Sequence, residues 1–266
     1  MTLPLRPGAG AVPSRAPARP PGPDPLAPLL DLPGVRDAAD GARAAVDRLL
    51  GHRVLRRESA GVSTESALRG ARASAALEGV DVPLADLRAG RVEEPVVQGA
   101  LRVSAALGTM TGTWTRAPGQ VLARLHLLAA ADLAGHEVLG RPGPHAGPRL
   151  GGLLGLVTGA TTAPAVLVAA LVHGEVAALA PFGTADGVVA RAAARLTGVT
   201  RGLDPKAVSV PEAGFAELGR EAYAAALAGY AAGGPDGVAG WLVHCCRATE
   251  HGAVEGIAIC ESLLRG

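Results

Sequence analysis

From about residue 35 onward the apolar residues of this chain recur at three- and four-residue intervals, and nowhere do they alternate with period two for long enough to build a sheet. That periodicity points to an all-α fold. The core is short of rings, because apolar residues make up 48% of the sequence and aromatic residues only 2%. It must be assembled from Ala, Leu and Val, and Ala-rich faces suit helices packed at close quarters. A length of 266 residues accommodates one compact domain with a tail.

Residues 1–28 form a Pro/Ala/Gly/Arg tract that can neither continue a helix nor bury a core, so a disordered tail is expected there. Residues 29–110 read as N-terminal helices and 111–266 as a core. The pattern predicts helices over 35–50 and 64–78, with Gly79 ending the second, a short one after Pro83, and a longer one over 93–107. The Thr/Gly-rich run 109–119 should break the pattern before a helix that starts near Pro118. Residues 141–148 read as loop, and 150–162, rich in Gly and Thr, as a short β-hairpin or an irregular flap. Helices are expected again over 165–179, 186–200, 211–232 and from Asp236 onward.

Twenty-five basic against 24 acidic residues give a net charge of +1, with Lys206 the only lysine, so no electrostatic footprint for nucleic acid exists. The three cysteines, Cys245, Cys246 and Cys260, show no C-x-x-C spacing, and a neighbouring pair points to different helix faces. They read as reduced core thiols rather than a metal site with His244 and His251, and no metal is expected. Proline interrupts the first thirty residues where a signal peptide would need a continuous apolar run. The apolar window 163–180 carries His173, Gly174 and Glu175, costly groups in lipid, so it reads as a buried helix rather than a membrane span. Cytoplasmic residence follows as the default expectation.

Two stretches carry chemistry. One is Ala180-Pro-Phe-Gly-Thr-Ala-Asp-Gly-Val-Val-Ala-Arg191; the other is Ser74-Ala-Ala-Leu-Glu78-Gly79, whose Ser74 and Glu78 share a helix face. Together they resemble the Fic (Fido) family, which transfers AMP or related groups from nucleotides onto protein hydroxyls. The family's motif is H-P-F-x-D/E-G-N-G-R-x-x-R. This chain keeps Pro181, Phe182, Gly187 and Arg191 and departs at Ala180, Thr184, Ala185, Asp186 and Val188. The segment 74–79 matches in full the family's inhibitory-helix pattern S/T-x-x-x-E-G/N. There the glutamate pairs with the last arginine of the motif and obstructs the nucleotide's terminal phosphate. The resemblance extends over about residues 64–260, through Arg124 to Leu133 and the tail containing Tyr223 and Trp241.

The resemblance implies what the departures cost. The family's histidine is the general base, and Ala180 has no titratable group. His173 lies one helical stretch upstream, ~10 Å along the axis. Thr184 lacks the carboxylate that holds magnesium, Asp186 replaces an amide with an acid, and Val188 removes an arginine that would neutralise phosphate. The pocket implied by Phe182, Thr184, Asp186, Gly187 and Arg191 should therefore bind nucleotide weakly or not at all, with no catalytic residue intact. Gly187 would still permit close backbone approach to a helix N-terminus.

The favoured reading is a degenerate Fic-fold pseudoenzyme that serves as a binding or regulatory module for another protein, with Ser74, Glu78 and Gly79 as an inhibitory lock on Arg191. One alternative is a residual nucleotidyltransferase, or a de-AMPylating hydrolase acting through Glu78, for which ATP and magnesium would be required. A second is a helical interaction protein unrelated to that family. Phe182 reads as a core anchor, and His126 as a hydrogen-bonded core histidine. Trp114 and Trp241 read as packing residues, and Arg149 and the Thr161-Thr162 pair as parts of the flap.

Overall fold

The computed structural model describes residues 24–265, and most of the tail expected over 1–28 lies outside them. Residues 24–28 are placed: Asp24 enters a turn that leads into a 3-10 helix over Ala27–Asp31. The Asp24 carboxylate accepts hydrogen bonds from the Thr161 hydroxyl and from both the amide and the hydroxyl of Thr162. These two threonines therefore anchor the front of the chain rather than line a flap.

Eleven α-helices follow among the described residues, with no strand. They are α1 (Val35–Leu50), α2 (Ser59–Leu77), α3 (Leu84–Arg88), α4 (Pro95–Trp114), α5 (Pro118–Ala130), α6 (Gly147–Thr158), α7 (Ala165–Leu179), α8 (Asp186–Thr200), α9 (Pro211–Leu218), α10 (Arg220–Ala232) and α11 (Gly234–Arg265).

Three sequence expectations are corrected. The hairpin or flap over 150–162 is mostly α6: Leu150, Leu153, Leu154 and Val157 fall at helical spacing, and Leu153 and Val157 are buried. Helix α4 runs through the Thr/Gly stretch to Trp114. The Thr109 and Thr111 hydroxyls donate back to carbonyls three residues earlier, and Met110 and Trp114 anchor the turn in the core. The single helix expected over 211–232 is two, broken at Gly219, whose φ of 98° a side chain would resist.

Helix α7 carries apolar residues all round, broken by His173 and Glu175, and packs against α6, α8, α10 and α11, which resolves the apolar window as the centre of the bundle. Among the described residues no helix is long and apolar enough to cross a membrane. One hydrophobic cluster joins α1, α7, α9, α10 and α11, a second joins α4 to α8, and a smaller third joins α2 to α4. Close helix crossings replace aromatic bulk. A Cβ on Gly99 would collide with the Ala129 carbonyl, and one on Gly214 with that of Ala248.

The few rings are concentrated rather than spread. His173, Phe215, Tyr223, Tyr230, Trp241 and His244 pack together beside Gly174, with the Trp241 indole N–H donating to the Ala170 carbonyl at 2.8 Å. Cys245, Cys246 and Cys260 are buried and unpaired, and burial pushes the Cys246 thiol up to about 12.

Candidate functional site

Helix α7 ends at Ala180, held in the left-handed region at φ 44°, and α8 begins after Ala185, also left-handed at φ 54°. Between them the loop turns sharply through Gly183, and the two left-handed alanines make it a costly conformation. Two clamps hold it. The Asp186 carboxylate folds back to accept the Phe182 amide at 3.0 Å, and the Pro181 carbonyl accepts the Gly143 amide at 2.8 Å. The Phe182 ring stacks on His126 at 4.3 Å with planes 5° apart, and His126 Nδ1 accepts the Gly140 amide at 2.9 Å. Burial lowers the His126 pKa, which suits an acceptor nitrogen.

At the first turn of α8 the structure brings Ser74, Glu78 and Arg191 together. Arg191 Nε donates to the Ser74 hydroxyl at 2.9 Å, while Nη2 donates to the Ser74 carbonyl at 3.0 Å and to Glu78 Oε1 at 2.5 Å. Nη1 reaches the Tyr223 hydroxyl at 3.4 Å. The guanidinium is buried and nearly saturated, with its side chain 2% exposed. Burial works against its charge, but Tyr223 and Glu78 outweigh it and hold the pKa above the ordinary arginine value.

Because the Tyr223 oxygen accepts from Arg191, its proton points to His173 Nε2, 2.9 Å away. His173 is thereby a neutral acceptor, and burial together with the nearby Arg191 charge drives its pKa well below the ordinary value. It is a core residue, 1% exposed, with its Nε2 engaged by Tyr223.

Gly187 explains how Glu78 reaches this turn. A Cβ at position 187 would collide with the Glu78 carboxylate and crowd Arg191 Nη1 at 3.2 Å. The carboxylate thus occupies the space over the α8 N-terminus, where backbone N–H groups and the helix dipole favour an anion. Gly79, at φ 97°, closes α2 immediately after Glu78 and lies against the Arg220 guanidinium. Asp186 sits close by; burial raises its pKa, opposed by the Phe182 and Gly183 amides, while Glu78 pushes it further up.

Beside this turn a groove of about 450 Å³ is lined by Glu78, Gly187, Arg220, Tyr223 and an apolar wall from α7 and α10. Arg220 and His145 were not singled out by sequence reasoning. His145 Nε2 lies 3.3 Å from the Ala180 carbonyl, brought there by the 143–146 segment, and no spacing rule links residues so far apart. Thr184 is half-buried in the α7–α8 loop and offers no carboxylate. Among the described residues no group of three or more His, Cys, Asp or Glu side chains is arranged to hold a metal. Arg149 makes a bidentate pair with Glu175 of α7, at 2.8 and 3.1 Å, and so pins α6 to the bundle.

No protein-family model and no curated protein matches the sequence. Solved structures do match. A Fic family protein from Desulfovibrio desulfuricans G20 superposes with a TM-score of 0.67 at 17% identity, covering 85% of this chain and 74% of that one. A fragment of Fic-1 from C. elegans gives 0.65 at 15% identity over 86% and 73%. A variant of the same nematode fragment gives 0.62 at 16% identity over 90% and 75%. At such identities the likeness speaks for architecture, and it does so over most of the chain: this protein has the all-helical Fic fold.

Proposed function

We propose that this chain is a Fic-fold binding or regulatory module without AMP-transferase activity, its ancestral anion site held shut by Glu78. One observation carries the reading: the Glu78 carboxylate lies over the N-terminal turn of α8, bonded to Arg191 at 2.5 Å, in space that Gly187 leaves open. An internal anion already pairs with the arginine a phosphate would need and fills the space beside it. The motif around it lacks the means to act on a nucleotide. Ala180 offers no base, Thr184 no metal-binding carboxylate and Val188 no cation, and Asp186 is spent on the Phe182 amide.

Incubating the purified chain with radiolabelled ATP, magnesium and cell lysate, with calorimetric titration of ATP in parallel, tests this. No label transfer is expected, and binding should be absent or weak in the native chain. Glu78→Gly should increase any binding. Label transfer by the native chain would overturn the reading. Restoring the motif with Ala180→His, Thr184→Glu, Asp186→Asn and Val188→Arg, on a Glu78→Gly background, should return transfer if the fold retains the family's geometry.

A further inference from the structure

A second concavity lies away from the α8 turn, between α4, α5 and the segment 139–141, with a volume of about 950 Å³. Much of its lining is apolar, with Met110 and Val121 buried, Leu128 and Leu139 half-buried and Leu127 48% exposed, and Thr109, Thr113 and Gln120 add neutral polar groups. The neighbouring segment 131–138 leaves Leu133 and Val138 exposed as well. Three exposed leucine and valine side chains near one groove form an apolar patch of the kind that partner surfaces use.

The rim has one sign of charge. Arg124 and Arg141 line the groove, and no Asp or Glu does. Both guanidinium groups are at the surface, and neither has a carboxylate partner among the described residues. Arg141 donates only to the Glu137 carbonyl. The chain's own first 23 residues have the wrong charge to fill the groove, since they carry Arg6, Arg15 and Arg19 and no carboxylate.

We propose that this groove docks an amphipathic helical segment of a partner protein, with its apolar face on Leu127, Leu128 and Leu139 and acidic residues meeting Arg124 and Arg141. A helix laid between two helices presents side chains at three- and four-residue intervals, which suits a groove between α4 and α5 with leucines inside and arginines at its rim. The proposal deepens the binding-module reading by naming the partner's chemistry. The groove also touches the motif: its wall residue Gly140 donates to His126, on which Phe182 stacks.

Two fluorescein-labelled helical peptides of about 14 residues test it, both with leucines at helical spacing, one flanked by Glu and one by Lys. Anisotropy titrations use the full chain without nucleotide, so their failure leaves the ATP result standing, and label transfer from ATP would not touch the peptide result. The Glu peptide should bind at least about tenfold tighter than the Lys peptide. Arg124→Glu with Arg141→Glu should reverse that preference, and Leu127→Asp should abolish binding of both. These side chains sit at the surface, and an unchanged melting temperature verifies folding. Equal affinity for the two peptides, or binding of neither, would overturn the proposal. So would binding to phosphatidylserine vesicles that the arginine reversals remove, or self-association that Leu127→Asp abolishes, since each names a different occupant.

Discussion

Glu78 and Arg191, 113 residues apart in sequence, meet at 2.5 Å over the first turn of α8, with the Arg191 side chain 2% exposed and that of Glu78 31% exposed. The asymmetry of exposure sets an asymmetry of cost. Glu78→Ala leaves Arg191 its bonds to Ser74 and Tyr223 and should cost about 1–2 kcal/mol. Arg191→Ala strands a buried hydroxyl and a carboxylate and opens a cavity, and should cost about 3–5 kcal/mol. Chemical denaturation of both variants measures the difference, and equal losses would show that the pair contributes as an ordinary surface bridge.

Gly187→Ala places a methyl group where the Glu78 carboxylate sits. It should destabilise the chain by up to about 1–2 kcal/mol, the loss set by the Glu78 bond it breaks, since the colliding atom is the end of a flexible side chain. In the double variant with Glu78→Gly the methyl meets only Arg191 Nη1 at 3.2 Å, so most of the alanine penalty should vanish. A double-mutant cycle with additive losses would place the collision elsewhere.

Gly174→Ala probes the aromatic cluster in the same way. Its methyl would lie 2.7 Å from the Trp241 indole nitrogen and 2.8 Å from a Tyr230 ring carbon, two rigid neighbours. The expected loss is about 1–3 kcal/mol, with a changed near-ultraviolet circular dichroism spectrum because Trp241 is one of only two tryptophans.

Stability should fall as pH drops below about 6.5. His126, His173 and His244 all have lowered pKa values, burial being the main cause for each. A folded-state value below the unfolded one means the unfolded chain binds more protons, so stability is full above the unfolded value and is lost on acidification. Each group contributes a slope of up to about 1.4 kcal/mol per pH unit. Urea midpoints between pH 7.5 and 5 test this, and the His173 ring resonances should remain those of a neutral imidazole through most of that range.

Much of the fold was legible because helical periodicity is local. The bounds of α1, α7 and α8 could be read from apolar spacing, and the all-α class from the missing period of two. Where reading failed, tertiary packing overrode composition. Glycine and threonine normally mark loops, but buried Met110 and Trp114 carry α4 through one such stretch, and Leu153 with Val157 hold α6 together in another. Gly219, conversely, breaks a run that is Ala-rich on both sides.

The sequence by itself determined the class of fold, the spacing that places Ser74 and Glu78 on one helix face, and the presence of a side chain without a titratable group at Ala180. These depend only on residue identity and on intervals of a turn or so. Only the tertiary structure decided that Glu78 lies over Gly187 rather than in solvent, that His173 is consumed by Tyr223, and that His145 comes to rest beside Ala180. It alone assembled the basic-rimmed groove from α4, α5 and the loop after them. Contacts between residues tens to hundreds of positions apart arise from how helices pack, and packing is set by the whole core at once.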